Sequence, residues 1–165
     1  ATEGLVELLP NRGAVVSAID PGRIAEALAV MGALEALAGE LACRHASDET
    51  VAGIRALHDE MLAMHAKGDL DGYFRYNQLI HMGIVEASGN PVLAATYRQL
   101  NGNVKRARYM ANLSRERWDA AVAEHEEIIR ALERRDAAAL HSLLADHLSR
   151  KLAHVTKSLK ARAAA

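Results

Sequence analysis

The chain is short of aromatic residues, of proline and of cysteine, and each shortage narrows what it can be. Aromatics are 4% of the 165 residues (one Trp, one Phe, four Tyr), so aliphatic side chains, chiefly Ala and Leu, must fill any core. Both are strong helix formers. Only three prolines occur, at 10, 21 and 91, so long helices are permitted over most of the chain. The single cysteine, Cys43, excludes an intrachain disulfide and fits a reducing compartment. No apolar run reaches the roughly 20 residues that cross a bilayer, and no secretory signal opens the chain. A cytoplasmic protein without a membrane partner is expected. A formal net charge of −1 supplies no basic excess, so this chain is not expected to wrap nucleic acid by itself.

Against those shortages stands a half-hydrophobic composition, enough for the full core of one domain. Residues 1–20 differ from the rest. Gly4 to Val16 read as two short strands around a Pro10-Asn11-Arg12-Gly13 turn. A lone hairpin of that size is marginal in water, so it either packs on the helical body or is the tail of an upstream domain. The absence of an initiator methionine fits a truncated or cleaved chain.

Six helical segments follow. The first opens at Asp20-Pro21 and runs to about Ala46. Ser47 caps the second, Lys67-Gly68-Asp69 separates it from the third, and Gly89-Asn90-Pro91 breaks the third from the fourth. The fourth spans about 91–112, Ser114 caps the fifth, and Arg134-Arg135-Asp136 divides the fifth from a sixth reaching about residue 160. Turns this short imply antiparallel neighbours in a helix bundle. The first helix carries Ile24, Leu28, Met31, Leu34, Leu37 and Leu41 on one face, widened by alanines, which suits a central element or a dimer contact.

Three helices each carry a histidine on an apolar stripe. His81 lies near Ile80, Ile84 and Val85, with Asn77 one turn before it and Tyr73 and Phe74 beside that face; His125 lies with Val122, Ile128, Ile129 and Leu132; His147 lies among Leu143, Leu144, Leu148 and Leu152. Burying such groups unpartnered costs a few kcal/mol each. Three imidazoles from three helices can share a cation, with Asn77 as a weaker fourth ligand or the holder of a water. The alternative is that each finds its own partner in the core, because periodicity does not say whether the helices bring them together. His45, His58, His65, His141 and His154 fall at helix ends or face edges and are expected at the surface or around the site. On the fourth helix, Lys105, Arg106 and Arg108 form a basic cluster beside Tyr97 and Tyr109. Lys105 and Arg108 are read as a solvated face, and Arg106 as a candidate for gripping a carboxylate.

These residues carry a resemblance. Glu3-Gly4-Leu5-Val6 and Pro10 to Val16 resemble the wing of a winged helix-turn-helix. Asn77-Gln78-Leu79-Ile80-His81, Ser88-Gly89-Asn90-Pro91, Glu124 to Ile128 and Asp146-His147-Leu148 resemble, in order and spacing, the C-terminal ligand-sensing (FCD) domain of the GntR family of bacterial transcription regulators, in its FadR-like branch. The likeness runs from residue 3 to about 155. It implies an all-α antiparallel bundle of six or seven helices, preceded by a short β-hairpin left from a winged helix-turn-helix: a wing-like remnant and linker at 1–20, and an effector-binding and dimerisation domain at 21–165. It also implies a divalent transition metal, zinc or nickel, held at Asn77, His81, His125 and His147. The candidate effector-binding residues are Arg106, Tyr73, Tyr109 and Met31, for a small carboxylate effector. The expected partners are a second copy of the chain and operator DNA, the latter only through a DNA-binding domain absent from this sequence. Two positions depart from the family pattern: Asn77 stands where Asp is usual, removing a negative charge, and Met31 stands where an arginine is common.

A metal-dependent helix-bundle enzyme acting on a small organic acid is the competing reading, and a purely structural dimerisation module is a third. The chain has neither Glu-x-x-His nor His-Glu-x-x-His, the pairs that bundle metalloenzymes use. Glu124 and Glu126 flank His125 and are read as pointing away from its face, which leaves no evident general base and favours binding over turnover.

Overall fold

A computed structural model describes the backbone at residues 6–9, 13–16, 21–111 and 115–163, and side chains at 22–102, 104, 105, 108, 109 and 116–156. Strands β1 (Val6–Leu9) and β2 (Gly13–Val16) pair antiparallel, Val6 opposite Val16 and Leu9 opposite Gly13. The turn expected at 10–12 lies outside the described residues. Six helices follow: α1 (Pro21–His45), α2 (Asp48–Lys67), α3 (Leu70–Ala87), α4 (Pro91–Ala111), α5 (Arg115–Glu133) and α6 (Ala137–Ala163).

Local chemistry sets most of the boundaries. Ser47 caps α2 by accepting from the Thr50 N–H at 3.1 Å. Gly68 ends that helix with φ 70°, a left-handed conformation that glycine adopts without strain. Asp69 then caps α3 through the Gly72 N–H at 2.9 Å. Asn90 accepts from the Leu93 N–H at 3.1 Å to start α4, and Asp136 from the Ala139 N–H at 3.0 Å to start α6. Asp20 and Ser114, read as caps of α1 and α5, lie outside the described residues.

Helix α1 is the axis of the bundle: it packs against α3, α4, α5 and, most extensively, α6. Gly39 permits that approach, since a Cβ there would lie 2.5 Å from Leu144 Cδ1. Two apolar clusters result. One joins Leu28, Met31, Val85, Tyr97, Val104 and Leu148; the other joins Ile54, Met61, Ile80, Ile84, Ile129 and Leu144. His81 follows Ile80 of one cluster and precedes Val85 of the other, and His147 stands between Leu144 and Leu148 in the same way. The polar side chains therefore lie where the two clusters meet.

Candidate metal centre

Helices α3, α5 and α6 bring His81, His125 and His147 together. All three are buried, and one ring nitrogen from each lies within 4.8 Å of the others. Ring centroids are 5.0 Å apart for His81 and His125, 5.2 Å for His81 and His147, and 4.8 Å for His125 and His147. The packing of α3, α5 and α6 thus brings the three rings together, which periodicity along each helix left open.

Two of the imidazoles have a carboxylate behind them. His81 Nδ1 is 2.7 Å from Glu35 Oε2 on α1, and His147 Nδ1 is 2.6 Å from Glu124 Oε2 on α5. A carboxylate accepts, so each Nδ1 carries the proton and each Nε2 keeps its lone pair. Those Nε2 atoms, and both ring nitrogens of His125, are buried without a hydrogen-bond partner among the described residues. Burial holds the rings neutral: His147 is pushed down to about 4, with the charge of Lys151 adding to the effect and Glu124 opposing it. His81 and His125 are pushed well below the ordinary histidine value by burial first, then by surrounding positive charge.

The carboxylates are themselves held in networks. Glu35 accepts from the Tyr97 hydroxyl, which in turn accepts from Arg108 Nη1 at 3.1 Å; the same Nη1 donates to Asn101 Oδ1 at 2.8 Å. Glu124 is gripped by both Nη atoms of Arg117, at 2.9 and 2.8 Å, and by Arg150 at 3.1 Å. Hydrogen bonds from His147 and Arg117 outweigh its burial and hold its carboxyl far below the usual carboxylate range. Asn77 is fully buried one turn before His81, with neither amide atom partnered.

The structure corrects two expectations. Arg108, read as part of a solvated face, is fully buried in the Glu35–Tyr97 network. Its position could have signalled this, because Leu93, Ala94, Tyr97, Val104 and Arg108 form one buried stripe along α4. Glu124, read as turned away from the site, points away from His125's face but reaches across to His147 on α6. His58, expected at the surface or around the site, is fully buried beside it: its ring stacks at 6.5 Å from that of His125, outside the trio. Lys151 and Arg117, both buried, were not singled out at all. The remaining candidates scatter. Tyr73 is buried edge-on to Trp118 at 5.2 Å with its hydroxyl unpartnered. Met31 lies in the apolar cluster with Tyr97. Tyr109 donates to Asp71 at 2.7 Å on the α3–α4 seam. Lys105 is exposed, and the side chain of Arg106 lies outside the described residues.

Comparison with known proteins agrees with this architecture. The FCD domain family matches residues 26–150. An HTH-type transcriptional regulator in an unstable DNA locus of Streptomyces ambofaciens is 30% identical over 154 residues, which are 90% of this chain and 62% of that protein. The HTH-type transcriptional repressor RspR of Escherichia coli K12 is 25% identical over 149 residues, 90% of this chain and 65% of the repressor. The chain therefore spans just under two thirds of each of these relatives. Among solved structures, E. coli McbR/YncC superposes with a TM-score of 0.86 at 17% identity, over 95% of this chain and 79% of that one. The metal-free FCD domain of TM0439 superposes at 0.72 and 20% identity, over 88% and 99%. At such identities the structural likeness is one of fold. The chain belongs to the FCD-domain family of GntR-type transcription regulators.

Proposed function

We propose that this chain is the effector-sensing domain of a bacterial transcription regulator, and that His81, His125 and His147, joined by Asn77, hold a divalent transition metal to which a small carboxylate effector binds. The observation that carries this reading is the set of buried, unpartnered ring nitrogens on three converging imidazoles. Neutral nitrogen lone pairs suit zinc or nickel. Ligands about 2.1 Å from one cation are at most about 4.2 Å apart, so nitrogens within 4.8 Å of one another need only a small closing movement. Glu35 and Glu124 behind two of the rings supply the orientation and basicity that metal-bound imidazoles require. None of the four proposed ligands is charged, so a bound cation keeps its full charge and offers a Lewis-acid site to an anionic oxygen. A regulatory rather than catalytic role agrees with the names of the relatives.

In the intact regulator, residues 1–20 join this domain to a DNA-binding domain, and a homodimer presents two such domains to a two-fold operator. The effector acts by favouring one of two arrangements of those halves. Elemental analysis of protein purified without chelator tests the centre: about one zinc or nickel ion per chain is expected, falling to near zero in His125→Ala. A wild-type protein that stays metal-free after exposure to zinc and nickel would overturn the reading.

A further inference from the structure

Lys151 is a basic residue whose amine finds no hydrogen-bond partner among the described residues, and burial pushes it well below the ordinary lysine value. It stands four residues after His147 on α6, so both side chains leave the same face of the helix. It is fully buried, and its Nζ has no hydrogen-bond partner. The two carboxylates whose charges act on it are committed elsewhere, Glu35 to His81 and Tyr97, Glu124 to His147 and Arg117. One helical turn beyond His147, the lysine stands beside a member of the imidazole trio, and its positive form opposes protonation of all three rings. Arg108, also fully buried, keeps Nε and Nη2 free of hydrogen bonds. An unpaired buried ammonium is strongly disfavoured, and a lysine has no packing advantage here over methionine.

We infer that Lys151 anchors a second anionic group of the effector, so that the site selects a small dicarboxylate over a monocarboxylate of the same length. The inference rests on the sensing role proposed above and adds the charge of the ligand to it. One carboxylate meets the cation; the other meets Nζ. Glu35 and Glu124 are already offset by Arg108 and Arg117. The charges of a divalent cation, and of the ammonium that Lys151 forms once an anion reaches it, are therefore left for the ligand, which suits a dianion.

The test compares matched acids on the zinc-loaded protein: malonate with propionate, succinate with butyrate, and glutarate with valerate. Affinity is read by calorimetry, alongside thermal shift and metal content. At least one dicarboxylate is expected to bind about tenfold or more tightly than its monocarboxylate, the range of a buried charge-assisted hydrogen bond. In Lys151→Met that advantage should vanish, while metal content and monocarboxylate binding stay as in the wild type. The same substitution should raise the Tm of effector-free protein, because it replaces an unpartnered buried amine with an apolar side chain of similar length; this reading also verifies that the variant folds. The proposal is overturned if no dicarboxylate outbinds its partner, or if the preference survives in Lys151→Met. Loss of zinc binding in the wild type would sink the metal centre instead, and a preference for dicarboxylates that persists without metal and still depends on Lys151 would keep the anchor.

Discussion

Glu124 Oε2 lies 2.6 Å from His147 Nδ1, while the very next residue, His125, enters the imidazole cluster from the same helix. Neighbours on a helix point about 100° apart, so α5 supplies one ring to the centre and, from its adjacent face, the carboxylate that orients a ring of α6. Glu124→Gln removes the charge but keeps an oxygen near His147. Metal affinity should fall about 10–100-fold, measured by competition with a chelating dye. Urea unfolding should show a loss of about 2–4 kcal/mol, because Arg117 loses its two-pronged carboxylate. Unchanged metal affinity would mean that packing alone orients His147.

The pH dependence of the metal-free domain has a definite sign. His147 is held down to about 4 in the folded chain, against 6.5 for an unperturbed histidine, and His81 and His125 also lie well below that value. Between about pH 6.5 and 4 the unfolded chain therefore binds protons that the folded chain refuses, and stability falls as pH falls. The expected slope is about 1.4 kcal/mol per pH unit for each histidine kept neutral, with no contribution from these groups above about pH 7.5. Glu124, held below the ordinary carboxyl value of 4.5, extends the same trend further into acid. Urea midpoints at pH 7.5, 6.5 and 5.5 in the presence of chelator measure it. A flat profile would show that the rings are hydrated and free to take up protons.

The helix boundaries were legible because capping chemistry is local: Ser47, Gly68, Asp69, Asn90 and Asp136 each act on backbone within a few residues. The three histidines were legible as candidates because each interrupts an apolar stripe on its own helix. Their convergence was visible only through family resemblance, since it depends on how α3, α5 and α6 pack, which no single helix encodes. Glu35, Arg108, Arg117, Glu124 and Lys151 were missed for a related reason. A charged residue reads as solvated until its partner is known: Glu35 of α1 meets His81 of α3 and Tyr97 of α4, Glu124 of α5 meets His147 of α6, and Lys151 finds no hydrogen-bond partner among the described residues. Glu35 is 1% exposed and Arg108 0%, burial that only the assembled network makes tolerable.

Gly39 and Gly53 should respond in opposite directions to alanine. At Gly39 a Cβ would meet Leu144 Cδ1 at 2.5 Å and Leu140 Cγ at 2.9 Å, so both leucines must shift or α1 and α6 must part. Overpacking of this kind costs about 1–3 kcal/mol, more than the roughly 1 kcal/mol that alanine gains over glycine within a helix. Gly53 on α2 has nothing within 4 Å of such a Cβ, so Gly53→Ala should stabilise by about 0.5–1 kcal/mol. Because Glu35 stands one turn before Gly39, the Gly39 variant should also weaken metal binding, and the Gly53 variant should not. Denaturant unfolding and zinc titration of both variants check the contrast; a stabilised Gly39→Ala would show that the α1–α6 seam has room to spare.

Metal should couple to stability through the trio and not through His58. A ligand at a hundred times its Kd adds about 2.7 kcal/mol to the folded state, which for a domain of this size is a rise in Tm of roughly 5–10 °C. Zinc added to chelator-stripped protein should produce that rise, and excess chelator should reverse it. His81→Ala and His147→Ala each remove one of the converging nitrogens and should abolish the response. His58 is also buried, and its loss should lower the baseline Tm, but its ring is stacked behind His125 and is not one of the three. His58→Ala should therefore keep most of the zinc-induced rise. If the rise survives unchanged in His81→Ala, the ion that stabilises the fold is bound elsewhere, and exposed His141 and His154 become the histidines to replace next.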